Sequence, residues 1–512
     1  MRDNVLLHGG FQVEFACQIV HRMPGMRRPA VTAFLLLLPA LAAAQVASGP
    51  NANPRAVGSS PPERFTTRVV ATGFEDPWEV TYGPDGWLWV TERVGKRVVR
   101  VNPVDGSRKV AVTIGEVHQE LAQDGLLGLA LHPQLLRGSD HVYVMYTYDA
   151  DSGAATERRA KIRRYTYDTA SQTLREPVDV LTNLPHGPDH GASRIVFGPD
   201  GKLYASRGDH GSNFLAYYCE PIRAQELPTA ADVAARNWRG YEGKILRVNV
   251  DGGIPADNPV LNGVRSHVFT YGHRNPQGLA FGPDGRLYES EHGQDTDDEV
   301  NRIEAGRNYG WPLIAGYKDD QYYTYANWSA SAPTPCSSLD YGRTIPSTVP
   351  QTKESEVSLP DFTPPLKTFF TVPSTFDRRA LGNATAALAG LDVYTSAAIP
   401  GWNPSILVAG MMSGTIFRFP LSGGTDPPQT YFKAQDRYRD LAISPDGKRI
   451  YAVTDAHGRV LTAAGEPTAE LAHPGALLEF TYAVQSSASS EADDWRELRL
   501  DGDDDPASRV KR

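Results

Sequence analysis

The chain has 512 residues, 40% of them hydrophobic, with 47 Gly, 39 Pro and a formal net charge of −9. That length and apolar content describe a turn-rich globular protein, and the absence of long basic runs excludes nucleic acid as an expected partner. Its three cysteines, Cys17, Cys219 and Cys336, are too few for a disulfide scaffold and show no CxxC or Cys/His metal spacing.

The N-terminal stretch beginning near Met23 or Met26 carries two arginines, an apolar core ending at Leu41, and Ala42-Ala43-Ala44 before Gln45. This is the layout of a secretory signal peptide, and the apolar run is too short for a membrane span. Residues 1–22 read as an overcalled start, which leaves Cys17 outside the mature chain. Residues 1–44 are therefore assigned to leader, and cleavage near Ala44 predicts a periplasmic or secreted protein with no later membrane span. Residues 45–65, rich in Pro, Ser, Ala and Gly, read as a linker.

From 66 to 484 short apolar runs alternate with turn signals. "GPDGWLWVTER" at 83–93, "GPDGKLYASRGD" at 198–209, "GPDGRLYESEHG" at 282–293 and "SPDGKRIYAVTD" at 444–455 are near copies, each preceded by a short apolar run. Asp-Gly between β-prone runs predicts a hairpin, and a recurring hairpin of this kind predicts a β-propeller. The copies start 115, 84 and 162 residues apart, too far for single blades of roughly 40–50 residues, so altered blades and insertions must intervene. "LGLALHPQLLRGSDHVYVMYTYD" at 127–149 is one such altered unit. A β-sandwich with repeated turn chemistry is the rival architecture. Residues 485–512 are polar and charged without an apolar period, and read as a disordered tail.

Four clusters carry candidate chemistry. In "HGPDHGASRIVFGPDGKLYASRGDHG", His190 follows Asp189, and Asp209 lies one hairpin further on, placed to reach back to the histidine. A histidine base needs such a carboxylate to hold its tautomer. In "YGHRNPQGLAF", Arg274 and Asn275 suit an anionic or carbonyl-bearing ligand. The acidic loop 290–320 offers carboxylates and carbonyls to a hard cation, without EF-hand spacing. In "DRYRD", Arg437 and Arg439 alternate on a strand and share a face, which calls for solvent or an anion. Cys219 and Cys336 either form one bridge or stay as two free thiols.

Together "QDGLLGLALHP", "DHGASRIVFGPDGKLY", "YGHRNPQGLAFGPDGRLYESEHG", "DDEVNRI", "NYGWPLIAGYKDD", "TKESE", "PPLKT" and "DRYRD" resemble the soluble PQQ-dependent glucose and aldose sugar dehydrogenases, from about residue 68 to 482. The resemblance implies an all-β, six-bladed propeller with four-stranded antiparallel blades, carrying pyrroloquinoline quinone (PQQ) and calcium. It implies oxidation of the C1 hydroxyl of aldoses to lactones, with hydride passing to the quinone and electrons to an external acceptor. His190 then matches the general base, Asp209 its supporting carboxylate, and Arg274 the arginine at the quinone oxygens. Asp189, Gln123 and Phe214 fall on the substrate side. Gln123, Asn275, His292, Arg437 and Arg439 fall in the cofactor pocket. The carbonyls of Gly293 and Gln294 match the cofactor calcium; those of Ala315 and Tyr317, with Asp319 and Glu354, match a second calcium. The better-known relatives suggest a homodimer.

The pattern also departs from that family. "GMMSG" places Met412 where a lysine usually meets the quinone, and the stretch 375–394, "TFDRRALGNATAALAGLDVY", is short and lacks the loop's Tyr and Trp. Phe214 and His292 each replace a glutamine. These departures keep two other readings open: a calcium-dependent lactonase, and a non-catalytic sugar- or protein-binding propeller.

Overall fold

The computed structural model describes residues 63–483 except 152, 154, 343, 360, 376–384 and 425. The assigned leader and tail, and all of the assigned linker but its last three residues, lie outside this range. The outermost strand begins at Arg64, inside the linker as drawn from sequence.

Six four-stranded antiparallel sheets follow one another around a central channel, with almost no helix. The innermost strands are Pro77–Tyr82, Leu126–Leu131, Ile195–Phe197, Pro276–Phe281, Leu388–Tyr394 and Tyr438–Ile443. The sixth blade is completed from the other end of the chain: Arg64–Thr72 pairs with Ala476–Ala483, Arg64 opposite Ala483. Closing the ring in this way packs the last blade against the first and holds the two ends of the propeller together.

The repeated hairpin turns share one local chemistry. Asp85, Asp200, Asp284 and Asp446 each accept a hydrogen bond at Oδ1 from the backbone N–H two residues on, at 3.0–3.2 Å. Gly86, Gly201, Gly285 and Gly447 follow with φ of 77°, 71°, 74° and 68°, a conformation that only glycine adopts without strain. Asp200 and Asp284 also accept from Tyr204 and Tyr288 four residues later, which fixes the strand leaving the turn. The altered unit at 127–149 forms the inner hairpin of the second blade. The fifth blade's inner hairpin has no such signal. Part of the stretch 375–394, taken from sequence as a loop over the cofactor, is its inner strand Leu388–Tyr394.

Each of the six junctions between neighbouring blades holds its own apolar cluster, from Trp89 and Leu126 between the first two blades to Val80 and Tyr451 between the last and the first. Polar groups cross the channel instead. Arg194 Nη1 lies 2.5 Å from Glu79 Oε2 and 2.8 Å from Asp440 Oδ2, tying the first, third and sixth blades together. Among the described residues no helix is long and apolar enough to cross a membrane.

Two insertions build up one side of the ring, 208–243 in the third blade and 304–366 in the fourth. Cys219 and Cys336 join them as a disulfide, closing the alternative of two free thiols. Tyr218, Trp328 and Tyr341 pack around the bridge. Tyr341 in turn meets Phe214 edge-on at 6.3 Å, so the bridge braces the segment that carries Phe214.

Candidate active site

The residues preceding the inner strands, and those at the far ends of the strands paired with them, converge at one mouth of the channel. His190 stands just before the third blade's inner strand and Asp209 just after the paired strand Leu203–Arg207. The hairpin between them returns the carboxylate to the imidazole, with His190 Nδ1 2.6 Å from Asp209 Oδ1. Both are buried. Asp209 Oδ1 also accepts from Gly211 N at 2.9 Å, while Oδ2 accepts from Trp311 Nε1 at 2.7 Å. Held on both oxygens, Asp209 fixes the ring through Nδ1 and leaves Nε2 as the ring nitrogen for a ligand.

Asp189 and Gln123 sit beside this pair. Gln123 Nε2 donates to Asp189 Oδ1 at 2.5 Å, the same oxygen that accepts from His190 N at 2.8 Å. Gln123 Oε1 accepts from Gly191 N at 3.1 Å and is approached by Asn275 Nδ2 at 3.4 Å and Gln277 Nε2 at 3.3 Å. Gln277 Nε2 also donates to Asn275 Oδ1, and Gln277 Oε1 accepts from Arg439 Nη1 at 3.1 Å. One polar chain therefore runs from Asp189 to Arg439 across four blades, the second, third, fourth and sixth.

Arg274 closes the other side. Its guanidinium lies 5.4 Å from the rings of Phe214 and Trp311, and Nη1 donates to the His292 carbonyl at 3.2 Å. The Phe214 ring is stacked beside His190 at 6.1 Å. Burial, reinforced by Arg274, His190, Arg439 and Arg437, pushes the His292 imidazole well below its usual range, so that ring is neutral. His292 Nε2 and Arg274 Nε are both buried without a partner. Two orphaned nitrogens among buried arginines fit an acceptor-rich anionic ligand.

Arg437 and Arg439 face one way, as their spacing predicts, but toward a residue that sequence reasoning missed. Asp455 takes Arg439 Nε at 2.7 Å and Nη2 at 2.8 Å, and Arg437 Nε at 3.1 Å. Burial opposes the Asp455 charge, yet Arg439 and Arg437 hold its carboxyl below the usual range. The anion that this pair calls for is supplied by the chain itself. Met412 is buried, with its backbone N–H on Ala386 O at 3.0 Å and its carbonyl accepting from Leu461 N.

The acidic loop is partly structural. Asp298 accepts at 2.7–2.9 Å from Gly293 N, Ala386 N, Ala387 N and Thr385 Oγ1, pinning the loop to the start of the fifth blade. Gly293 is enclosed by this turn: a Cβ there would lie 1.8 Å from the Thr296 carbonyl oxygen. Glu354 accepts from the N–H groups of Ala315, Asp319 and Asp320 at 2.9, 3.3 and 3.0 Å. Ala315, Tyr317, Asp319 and Glu354 thus come together, and Asp297 joins them beside Gly316. Burial, with Asp319 and Glu354 nearby, pushes Asp297 to about 7, and burial does the same to Glu354. Carboxylates this close, flanked by backbone carbonyls, suit a hard cation.

The chain matches the glucose/sorbosone dehydrogenase family over residues 74–340 and 371–462. It belongs to that family. As a family member it is an enzyme of the oxidoreductase class. It is 42% identical over 438 residues to quinoprotein glucose dehydrogenase B of Acinetobacter calcoaceticus, covering 82% of this chain and 91% of that one. It is 24% identical over 408 residues to the aldose sugar dehydrogenase YliI of Escherichia coli, covering 77% and 91%. Among solved structures it is similar to the PQQ-bound aldose sugar dehydrogenase of Streptomyces coelicolor. That likeness covers 83% of this chain and 100% of the other, with a TM-score of 0.57 and 26% identity.

Within this glucose/sorbosone dehydrogenase site, the residues missed from sequence are Gln277, Trp311 and Asp455. Two had a usable signal. Gln277 lies two after Asn275 on an inner strand and so shares its face. Asp455 follows the strand Arg449–Thr454, whose Thr454 pairs with Tyr438, next to Arg437. Trp311 comes from an insertion about a hundred residues away from Asp209, and only the fold brings it there.

Proposed function

We propose that this sugar dehydrogenase is PQQ- and calcium-dependent, oxidises the C1 hydroxyl of aldoses to lactones and passes the electrons to an external acceptor. The observation that carries the reading is the His190–Asp209 couple, close to Arg274 and His292, whose orphaned Nε and Nε2 atoms suit a polycarboxylate. Bound there, PQQ supplies a quinone able to take up hydride, the two-electron half of alcohol oxidation. His190 Nε2 takes the hydroxyl proton, and Asp209 stabilises the imidazolium that results. Arg274 orients and polarises the acceptor end of the cofactor, and Asn275, Gln123 and Arg439 line its edges. Phe214 and Asp189 meet the sugar, the ring giving an apolar wall and the carboxylate a hydrogen-bond acceptor. The carbonyls of Gly293 and Gln294 hold the calcium of the cofactor site. Ala315, Tyr317, Asp319 and Glu354 hold the second calcium.

Export to an oxidising compartment belongs to the same proposal, and the Cys219–Cys336 bridge fits it. So does a homodimer, which light scattering of the purified chain checks. One observation favours a second reading, a propeller that binds without catalysis: Asp455 already pairs with both Arg437 and Arg439, and Met412 adds no cation. His190→Ala separates the two. Under the first reading turnover falls at least a thousandfold while PQQ affinity stays within a few fold. Retained turnover would remove His190 from the mechanism.

A further inference from the structure

Behind the site, the fourth blade carries a second group of ionisable side chains that the proposed chemistry does not use. His273, Glu289 and Glu291 are all buried, and one ligand-type atom from each lies within 4.8 Å of the others. Glu289 and Glu291 share a face of the strand Leu287–Glu291, and Asn301 stands directly opposite Glu289 on the neighbouring strand. Asn301 Nδ2 lies 3.0 Å from Glu289 Oε2, 3.1 Å from Glu291 Oε1 and 3.0 Å from Glu299 Oε2. An amide nitrogen has two protons, so three carboxylates compete for two donors.

Glu291 Oε2 and Glu299 Oε1 accept from Arg274 N and Gly316 N, but two other oxygens of the cluster have no donor. Glu289 Oε1 and Asn301 Oδ1 are buried without a partner, and both residues are 0% exposed. The charged groups acting on Glu289 are Glu291 and Glu299, and those acting on Glu299 are Glu291 and Asp297, all of like sign. Burial first, and these neighbours after it, push Glu289 and Glu299 well above the usual carboxylate range. His273 adds a geometric signal. Its Nε2 lies 2.9 Å from Thr270 Oγ1 and its Nδ1 3.1 Å from Glu291 Oε1. The contacts admit two tautomers: Nδ1–H donating to Glu291, or Nε2–H donating to the threonine with the Nδ1 lone pair turned to the carboxylate, and a cation between them would select the second. An imidazole held through its other nitrogen is the usual support of a metal-bound histidine.

We propose that His273 Nδ1, Glu289, Glu291 and Asn301 Oδ1 form a closed structural site for a divalent cation of the zinc class. The donor set decides the class: one imidazole nitrogen with carboxylate and amide oxygens suits zinc, whereas calcium takes six to eight oxygens. Zinc bonds of about 2.0–2.1 Å put tetrahedral ligand atoms roughly 3.3 Å apart. The His273–Glu291 edge, at 3.1 Å, is already there. To present Oδ1 the Asn301 amide must turn over and give up its Nδ2 bonds to the carboxylates, and the cation offsets the two carboxylates nearest it. None of these ligands belongs to the two calcium positions. Glu291 Oε2 also accepts from Arg274 N at 2.6 Å, so the cation would brace the strand end that presents Arg274 and His292.

The test uses the full chain expressed in zinc-supplemented medium, purified in excess calcium, and compared with Glu289→Gln, a near-isosteric change. The expected result is one zinc retained per chain in the wild type, and at least tenfold weaker retention in the variant at unchanged circular dichroism. Cobalt(II) in place of zinc gives the intense visible absorption of a tetrahedral site in the wild type alone. A wild type that retains no zinc, or equal retention in both proteins, overturns the proposal. A zinc-free wild type with a more heat-stable Glu289→Gln assigns the cluster to shared protons instead.

Discussion

Asp209→Asn tests the imidazole-orienting role with a change of one atom. Asp209 accepts from His190 Nδ1 at 2.6 Å through one oxygen and from Trp311 Nε1 at 2.7 Å through the other. Asparagine has a single acceptor oxygen, so one of the two donors must lose its partner. If the oxygen stays on Trp311, the amide N–H2 faces His190 Nδ1. The proton then moves to Nε2, and the base is gone from the position where substrate sits. If the oxygen stays on His190, the tautomer survives and only the charge-assisted part of the bond is lost. That part contributes about 1.5–3 kcal/mol, or roughly 10- to 150-fold in rate. The inverted tautomer costs up to ~10⁴-fold, the size seen when the same exchange is made in a serine-protease triad. Turnover of the calcium- and PQQ-loaded enzyme at saturating aldose should therefore fall between those limits, with PQQ affinity unchanged. Adding Trp311→Phe removes the competing donor, frees the asparagine oxygen for His190 and should recover at least tenfold over Asp209→Asn alone. A turnover number within threefold of wild type for Asp209→Asn would refute the reasoning.

Asp455→Asn leaves Arg437 and Arg439 without their shared anion. It should destabilise the cofactor-free protein by about 3 kcal/mol, read by denaturant unfolding. PQQ should then raise the melting temperature more in the variant than in the wild type, because the cofactor's carboxylates take over the pairing. Met412→Lys should tighten PQQ binding about tenfold in a fluorescence titration; an unchanged Kd would mean that the side chain points outside the cofactor pocket. Asp392 lines the lower channel, a cavity of about 380 Å³, where burial and then Asp440 push its carboxyl to about 7. Because the folded pKa is raised, the stability it contributes is full below about pH 4 and is lost as pH rises through about 7. The shift corresponds to about 4 kcal/mol at most, discounted to about 2 because the cavity admits water. Asp392→Asn should thus be the more stable protein at pH 8, by up to that amount, with the gap shrinking at pH 5.

The parts of the molecule readable in the sequence are those whose physics is local. The four Asp-Gly hairpins depend on a carboxylate two residues from its donor and a glycine at positive φ, so each announces itself in a few letters. The fifth blade's inner hairpin has the glycine, Gly401 at φ 76°, but not the Asp-Gly pair, and its strand Leu388–Tyr394 passed for loop. The sixth blade draws its outer strand from the other end of the chain, a pairing without any local mark. At the site, His190 and Asp209 stood out because one hairpin joins them. Asp455 was hidden because its pairing with the arginines crosses strands. Trp311 and the Cys219–Cys336 bridge depend on two insertions folding against each other, and no spacing rule reaches that far.

The central claim is tested most directly by titrating the purified chain with PQQ in millimolar calcium, then adding a panel of aldoses and a dye acceptor. The account predicts saturable binding, loss of quinone absorbance on adding sugar, and dye reduction that depends on the aldose. No binding at high PQQ would contradict it, and would leave a propeller in which Asp455 is the anion of Arg437 and Arg439.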